Sequence, residues 1–132
     1  MSDTQPQSKG TLVVDIDGTI CHELMQGQSY ADVAPRLDVI QQLRSYHTRG
    51  YRIVLFTARN MRTHNGNLGL INKHTAPVLF EWLHKWDVPY DEILFGKPWT
   101  QTKGFYIDDR AIRPDEFLNL SESEIHKLIG QE

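Results

Sequence analysis

Short apolar runs alternating with helix-patterned stretches are the feature that most constrains this chain. Thr11-Leu12-Val13-Val14-Asp15-Ile16-Asp17 and Tyr51-Arg52-Ile53-Val54-Leu55-Phe56-Thr57 lack period-two polarity, so each reads as a strand covered on both faces. Glu92 to Phe95 and Phe105 to Ile107 are shorter runs of the same kind. Between the first two, Pro35 suits a first helical turn, and Leu37, Ile40, Leu43 and Tyr46 recur at helical spacing up to a C-cap at Gly50. A polar loop from Ala58 to Thr75 precedes a second helix. That helix starts at Pro77, runs through Leu79, Trp82, Leu83 and Trp86, and places His84 and Lys85 in the last turn. Ser121-Glu122-Ser123-Glu124 carries the capping-box signature of a final helix. The order β, α, β, α, β, β, α predicts an α/β fold: a three-layer, doubly wound, mainly parallel sheet with right-handed crossovers.

At 132 residues the chain has the size of one domain. Its 39% hydrophobic and 23% charged residues exclude whole-chain disorder. Only residues 1–10, polar throughout, read as a disordered leader, leaving 11–132 as a single domain. Fourteen Lys and Arg against 17 Asp and Glu give a net charge of −3 with no basic run, so neither nucleic acid nor an anionic membrane is an expected partner. No apolar run approaches the ~20 residues of a membrane span, and the polar start lacks a signal-peptide core, which predicts a cytoplasmic protein. The lone Cys21 fits a reducing compartment.

Ligands of open parallel sheets collect beyond the C-terminal strand ends. There the sequence places Asp15 and Asp17, Thr57, Lys97, and Asp108 and Asp109. Neighbouring carboxylates at the end of an apolar strand repel each other and lose hydration. A divalent cation relieves both. Magnesium takes oxygen ligands and keeps several waters, so Asp15, the main-chain carbonyl of Asp17, and Asp108 or Asp109 are its candidate ligands. Lys97 adds fixed positive charge and Thr57 a hydroxyl donor, which completes what a phosphoryl group needs. The sequence has no Gly-rich phosphate loop, Cys/His cluster or repeat.

Asp15-Ile16-Asp17-Gly18-Thr19, Thr57, Gly96-Lys97-Pro98 and Tyr106-Ile107-Asp108-Asp109, in that order and each at an expected strand end, resemble the four motifs of the haloacid-dehalogenase-like phosphohydrolases. The resemblance spans roughly Thr11 to Arg113 and implies a Rossmann-like core. It makes Asp15 the nucleophile that forms an aspartyl-phosphate, and Asp17 the general acid and then base. Gly18 and Thr19 bind substrate, and Thr19 helps shape the turn that aims Asp17. Thr57 and the neighbouring positions Ala58, Arg59 and Asn60 hold phosphate or substrate, Lys97 orients Asp15, and Asp108 and Asp109 complete a Mg²⁺ site with Asp15 and Asp17.

Two departures from the family pattern stand out. Ten residues separate Lys97 from Asp108, too few for a helix, so Pro98 to Gly104 is expected to cross the sheet edge in extended form. Seven residues at ~3.3 Å each reach about 23 Å, enough for a few strand spacings of ~4.8 Å; Lys103 is a weaker rival of Lys97. There is also no room for a cap domain, as in capless members that act on sugar phosphates or nucleic-acid ends. Such a site is open to a loop or a second copy, hence an expected homo-oligomer.

The loop from Ala58 to Thr75 offers amides, guanidiniums and imidazoles suited to hydroxyls and a second anionic group, as on a phosphosugar. With Phe95-Gly96-Lys97-Pro98-Trp99, it resembles small phosphatases of capsule and lipopolysaccharide sugar synthesis. A small phosphorylated metabolite is therefore the expected substrate, with a nucleotide or nucleic-acid end as the alternative. Other classes remain: a receiver-like phosphoacceptor switch, although receivers place their acidic pair first, and a scaffold that has lost activity. Cys21 reads as a buried thiol, His22, His47, His84 and His126 as surface residues, and Trp82 and Trp86 as a core face.

Overall fold

The computed structural model describes residues 8–130, so the first seven positions of the expected leader lie outside the described residues. Lys9 donates its N–H to the Gly50 carbonyl (3.0 Å) and Gly10 accepts from Arg52 (2.9 Å), which ties this end down. β1 (Thr11–Val14), β2 (Arg52–Thr57) and β3 (Glu92–Phe95) form a parallel sheet in that order. The register sets Val13 opposite Val54 and Leu55 opposite Ile93. Parallel pairing directs all three C-terminal ends to one edge, and it requires crossovers, which the helices supply. The result is a small mixed α/β domain.

Helices α1 (Leu37–Thr48) and α3 (Ala76–Lys85) both pack on the sheet face that carries Leu12, Val14, Ile53, Leu55, Ile93 and Phe95. Ile40 and Leu43 of α1 and Leu79, Trp82 and Leu83 of α3 are buried there, while Leu37, expected in the core, is half exposed. Trp82 is a core residue as its helical spacing predicts, and its indole N–H donates to the Val33 carbonyl (2.8 Å). Trp86 packs partly buried against the same cluster.

The opposite sheet face differs from expectation. Val13 is 64% and Leu94 50% exposed, so the flanking strands β1 and β3 are uncovered on this face, although Val54 of the central strand is buried there, and the described residues make two layers. The cause lies in the expected fourth strand. Phe105–Ile107 forms no strand: Phe105 is 77% and Ile107 90% exposed, and β1 has β2 as its one strand partner among the described residues. Pro98 to Gly104 does not cross the sheet edge but turns back at Gln101 (φ 64°). Tyr106 holds that turn closed by donating its hydroxyl to the Pro98 carbonyl and lying under the Lys97 ammonium, 4.4 Å from the ring centroid.

The loop after β2 is also more ordered than its polarity suggests. Asn67 caps α2 (Leu68–Leu70) by accepting from the Leu70 N–H (3.1 Å). A π-helical turn (Ile71–Thr75), anchored by buried Ile71, leads on into α3. Beyond the exposed segment, α4 (Pro114–Asn119) and α5 (Glu122–Leu128) follow. Ser121 forms the capping box read from the sequence, while α4 was unforeseen despite Pro114 in its first turn and Glu116 at its third position. Phe117 of α4 packs its ring, tilted by 40°, against that of Tyr46, joining α4 to α1.

Candidate functional site

β1 ends in a tight turn. The Ile16 carbonyl accepts from the N–H groups of Thr19 (3.0 Å) and Ile20 (3.0 Å), and Gly18 donates to the Cys21 carbonyl (2.9 Å). Gly18 sits at φ +84°, where a side chain would be strained, so the Asp-Gly-Thr spelling is a backbone requirement. The turn lifts Asp15 out of the strand and leaves 35% of its side chain exposed. Thr19 Oγ1 lies 3.4 Å from Asp15 Oδ2, and Lys97 Nζ 3.4 Å from Asp15 Oδ1. Burial pushes the Asp15 carboxyl above its ordinary value and the Lys97 ammonium pulls it partly back.

Lys97 is positioned by two features of its own segment. Its N–H donates to the Thr57 carbonyl (3.1 Å), which joins the ends of β2 and β3. Gly96 precedes it at φ +89°, and a Cβ there would stand 2.8 Å from Leu68 Cδ2. Thr57 is buried, and its hydroxyl accepts from the Arg59 N–H (3.0 Å), so its role in this arrangement is to shape the loop. Lys103 is exposed and pairs with no carboxylate among the described residues.

Arg59 proves more central than its place in a polar loop suggests. It is 4% exposed, and its guanidinium grips Asp17 through Nη2–Oδ1 (2.8 Å) and Nε–Oδ2 (3.2 Å). The plane stacks on Tyr30 at 4.1 Å, and Nη2 reaches Cys21 Sγ at 3.8 Å. Buried beside Asp17, the Cys21 thiol is pushed up to about 12, which makes it an inert core group at neutral pH. Asn60, at φ 61°, accepts from Thr75 Oγ1 (2.7 Å) and donates to Thr63 (3.2 Å), closing the loop on itself. Ala58 supplies the carbonyl that starts this turn, accepting from Met61 (3.0 Å). The carboxylate clamp by Arg59 was foreseeable only as one more polar residue near Thr57.

Asp108 and Asp109 are not brought to this edge. Both are exposed, within a run from Gln101 to Ala111 that is exposed throughout, and Asp108 accepts from the Arg110 N–H (2.9 Å). Tyr106 is the part of the segment that feels Asp15: burial first, and then the Asp15 charge, raise its phenol above the ordinary value. An all-oxygen donor set suits Mg²⁺ in kind. In arrangement it does not fit, because no three His, Cys, Asp or Glu groups among the described residues converge on one point, and Arg59 already occupies both Asp17 oxygens.

Fold and site together define a small α/β protein with a carboxylate–lysine pair and a carboxylate–arginine pair at the C-terminal edge of a parallel sheet. The chain belongs to the family of a Vibrio cholerae protein of known crystal structure, whose name assigns it no activity. The two are 57% identical, with a TM-score of 0.86 over 90% of this chain and 95% of that one. A chain of the Pnkp1/Rnl/Hen1 complex shares the fold at 20% identity and a TM-score of 0.50, over 89% of this chain and 37% of that one. No family model and no curated protein matches. No helix among the described residues is long and apolar enough to cross a membrane.

Proposed function

We propose that the chain is a phosphomonoester hydrolase of the haloacid-dehalogenase-like kind, acting on a small phosphorylated metabolite such as a phosphosugar. The observation that carries this reading is Asp15: a half-buried carboxylate with a lysine ammonium beside one oxygen and a threonine hydroxyl beside the other, at the head of an Asp-x-Asp-Gly-Thr turn. A carboxylate desolvated in this way is a better nucleophile than a hydrated one. Asp15 attacks phosphorus and the bond to the leaving alcohol breaks, while Asp17 gives that oxygen its proton. Water then attacks the aspartyl-phosphate and Asp17 takes the water's proton, freeing inorganic phosphate and restoring Asp15. Lys97 offsets the charge spread over the transferred group. Arg59 holds the Asp17 carboxylate by two N–H bonds and sets its orientation before substrate arrives; to carry the proton it delivers, Asp17 has to release one of those bonds.

Magnesium, the cofactor that goes with this reading, supplies charge neutralisation when bound. To hold it, Asp108 or Asp109 would have to approach Asp15 in the working state. The test is phosphate release from p-nitrophenyl phosphate, with and without Mg²⁺, by the native protein and by Asp15→Asn. Repeated turnover that Asp15→Asn abolishes is the expected result. A single stoichiometric phosphorylation favours the phosphoacceptor switch, and equal rates in the two proteins overturn the mechanism. A panel of phosphosugars, nucleotides and oligonucleotide ends then ranks the substrate class.

A further inference from the structure

From Ala58 to Phe80 the chain carries Arg59, Arg62 and Lys73 and no Asp or Glu, although its net charge is −3. This cationic stretch walls a solvent-open cavity of about 270 Å³ through Arg59, Asn60, His74 and Thr75, bounded on the other side by Ser29 and Tyr30. The volume lies just below the ~300–1,000 Å³ of small-ligand pockets, so it suits part of a metabolite and not a polymer. Arg59 is common to cavity and reactive edge: it holds Asp17 and also lines the cavity. Its Nη1 is buried and has no hydrogen-bond partner among the described residues. A buried charged donor without an acceptor is costly, and such a group persists where a ligand completes it. The π-helical turn, a distortion frequent at functional sites, brings His74 to the same wall, where it is exposed and stacks on His64 at 5.7 Å.

Resting on the hydrolase reading above, we propose that this cavity is the subsite for a second oxyanion on the leaving alcohol. The preferred substrates are then phosphomonoesters that also carry a carboxylate or another phosphate, in preference to neutral sugar phosphates. Arg59 supplies the buried donor, His74 and the nearby cations the attraction, and the Ser29 and Tyr30 wall the room for a short hydroxylated chain.

The test is calorimetric titration of the Asp15→Asn protein, which cannot turn substrate over, with matched pairs: phosphogluconate against glucose phosphate, and fructose bisphosphate against fructose monophosphate. At least one doubly anionic member is expected to bind about tenfold more tightly than its partner, and the pair that does so tells carboxylate from phosphate. His74→Gln, at an exposed position that the fold does not depend on, is expected to cut the preference to within threefold. Equal binding within both pairs, no binding of any probe, or a preference untouched by His74→Gln overturns the proposal. The hydrolase reading is judged separately by native turnover: a retained preference without hydrolysis sinks that reading alone, and hydrolysis without preference sinks the subsite alone.

Discussion

The molecule has two acidic pairs with opposite surroundings. Asp15 and Asp17 flank the start of a turn pinned by backbone hydrogen bonds, and each faces a cation: Lys97 for the first, a buried Arg59 for the second. Asp108 and Asp109 stand in a run of exposed residues and meet no cation within ion-pair distance among the described residues. What separates the pairs is desolvation and compensation. Burial raises the energy of a charge and the cation beside it returns part of that cost, a balance that the proposed mechanism uses at Asp15. Water around the late pair removes both effects.

The largest effect probes this contrast directly. Asp15→Asn is expected to lower aryl phosphate turnover by at least about 10³-fold, since no other group replaces the attacking oxygen. The magnesium expectation predicts a loss of ~10² or more for Asp108→Asn as well, despite its exposure. That outcome would break the contrast by showing that the late pair travels to the early one during turnover; activity within threefold of native would confirm that the early pair works alone. Stability moves the other way in Asp15→Asn. Because burial raises the Asp15 carboxyl in the folded state, the native chain holds its proton more tightly than the unfolded one and loses stability as pH rises past the ordinary value of 3.8. The amide removes that loss. The variant is expected to melt at a higher temperature than native protein at pH 7, the difference vanishing below pH 3.8.

Lys97→Met is the next largest. It removes the cation from a carboxylate that stays desolvated, so a loss of about 10² in turnover is expected, with the Asp15 carboxyl rising further in a titration followed by carboxyl-carbon NMR. A Lys97→Arg protein restoring more than a tenth of the activity would show that charge matters at this position more than shape.

A carboxylate outside both pairs calibrates them. Glu122 accepts from the Tyr51 hydroxyl (2.5 Å) and pairs with Arg49 (2.7 Å), far from either acidic pair in function. The Tyr51 bond first, with Arg49 adding to it, draws Glu122 below its ordinary value of 4.5, so its stabilisation is present above that pH and lost as pH falls through the folded value. Tyr51, pushed to about 12 by burial and by Glu122, contributes below 10.0 and loses its contribution as pH climbs toward 12. Glu122→Gln is expected to cost about 1 kcal/mol in urea denaturation at pH 7 and nothing in acid.

Much of this was legible in the residues. β2, α1, α3 and the Ser121 cap follow from apolar periodicity and local capping chemistry, which need no partner from elsewhere in the chain. The early pair was legible because a Gly at positive φ and a Thr two residues past Asp17 encode a local turn. The meeting of Lys97 with Asp15 was legible through strand order, since parallel pairing brings C-terminal ends together. The Arg59 clamp was not, because nothing local distinguishes a guanidinium that folds inward from one that stays in water. The placement of Phe105–Ile107 was not either. An apolar tripeptide states a preference for extended backbone, but pairing with β1 is a long-range event, and a local Tyr106 contact with Pro98 and Lys97 competes with it.

The smallest expected effect tests that last point. On the sheet face opposite the helices Val13 is 64% exposed, whereas Leu55 of the adjacent strand, on the packed face, is fully buried. Leu55→Ala is expected to cost ~2–5 kcal/mol through the cavity it leaves. Val13→Lys, by contrast, places its charge in water and is expected to change stability by no more than about 0.5 kcal/mol in the same urea titration. The measurement also reads what lies over β1. If the Phe105–Ile107 segment, or a second copy of the chain, covers that face in solution, the lysine must bury its charge or displace the cover. The cost then rises to several kcal/mol, with a dependence on protein concentration only in the second case. A near-neutral substitution fixes the two-layer arrangement, and with it the separation of the two acidic pairs. A costly one that does not depend on protein concentration shows that the late aspartates sit beside β1, next to Asp15.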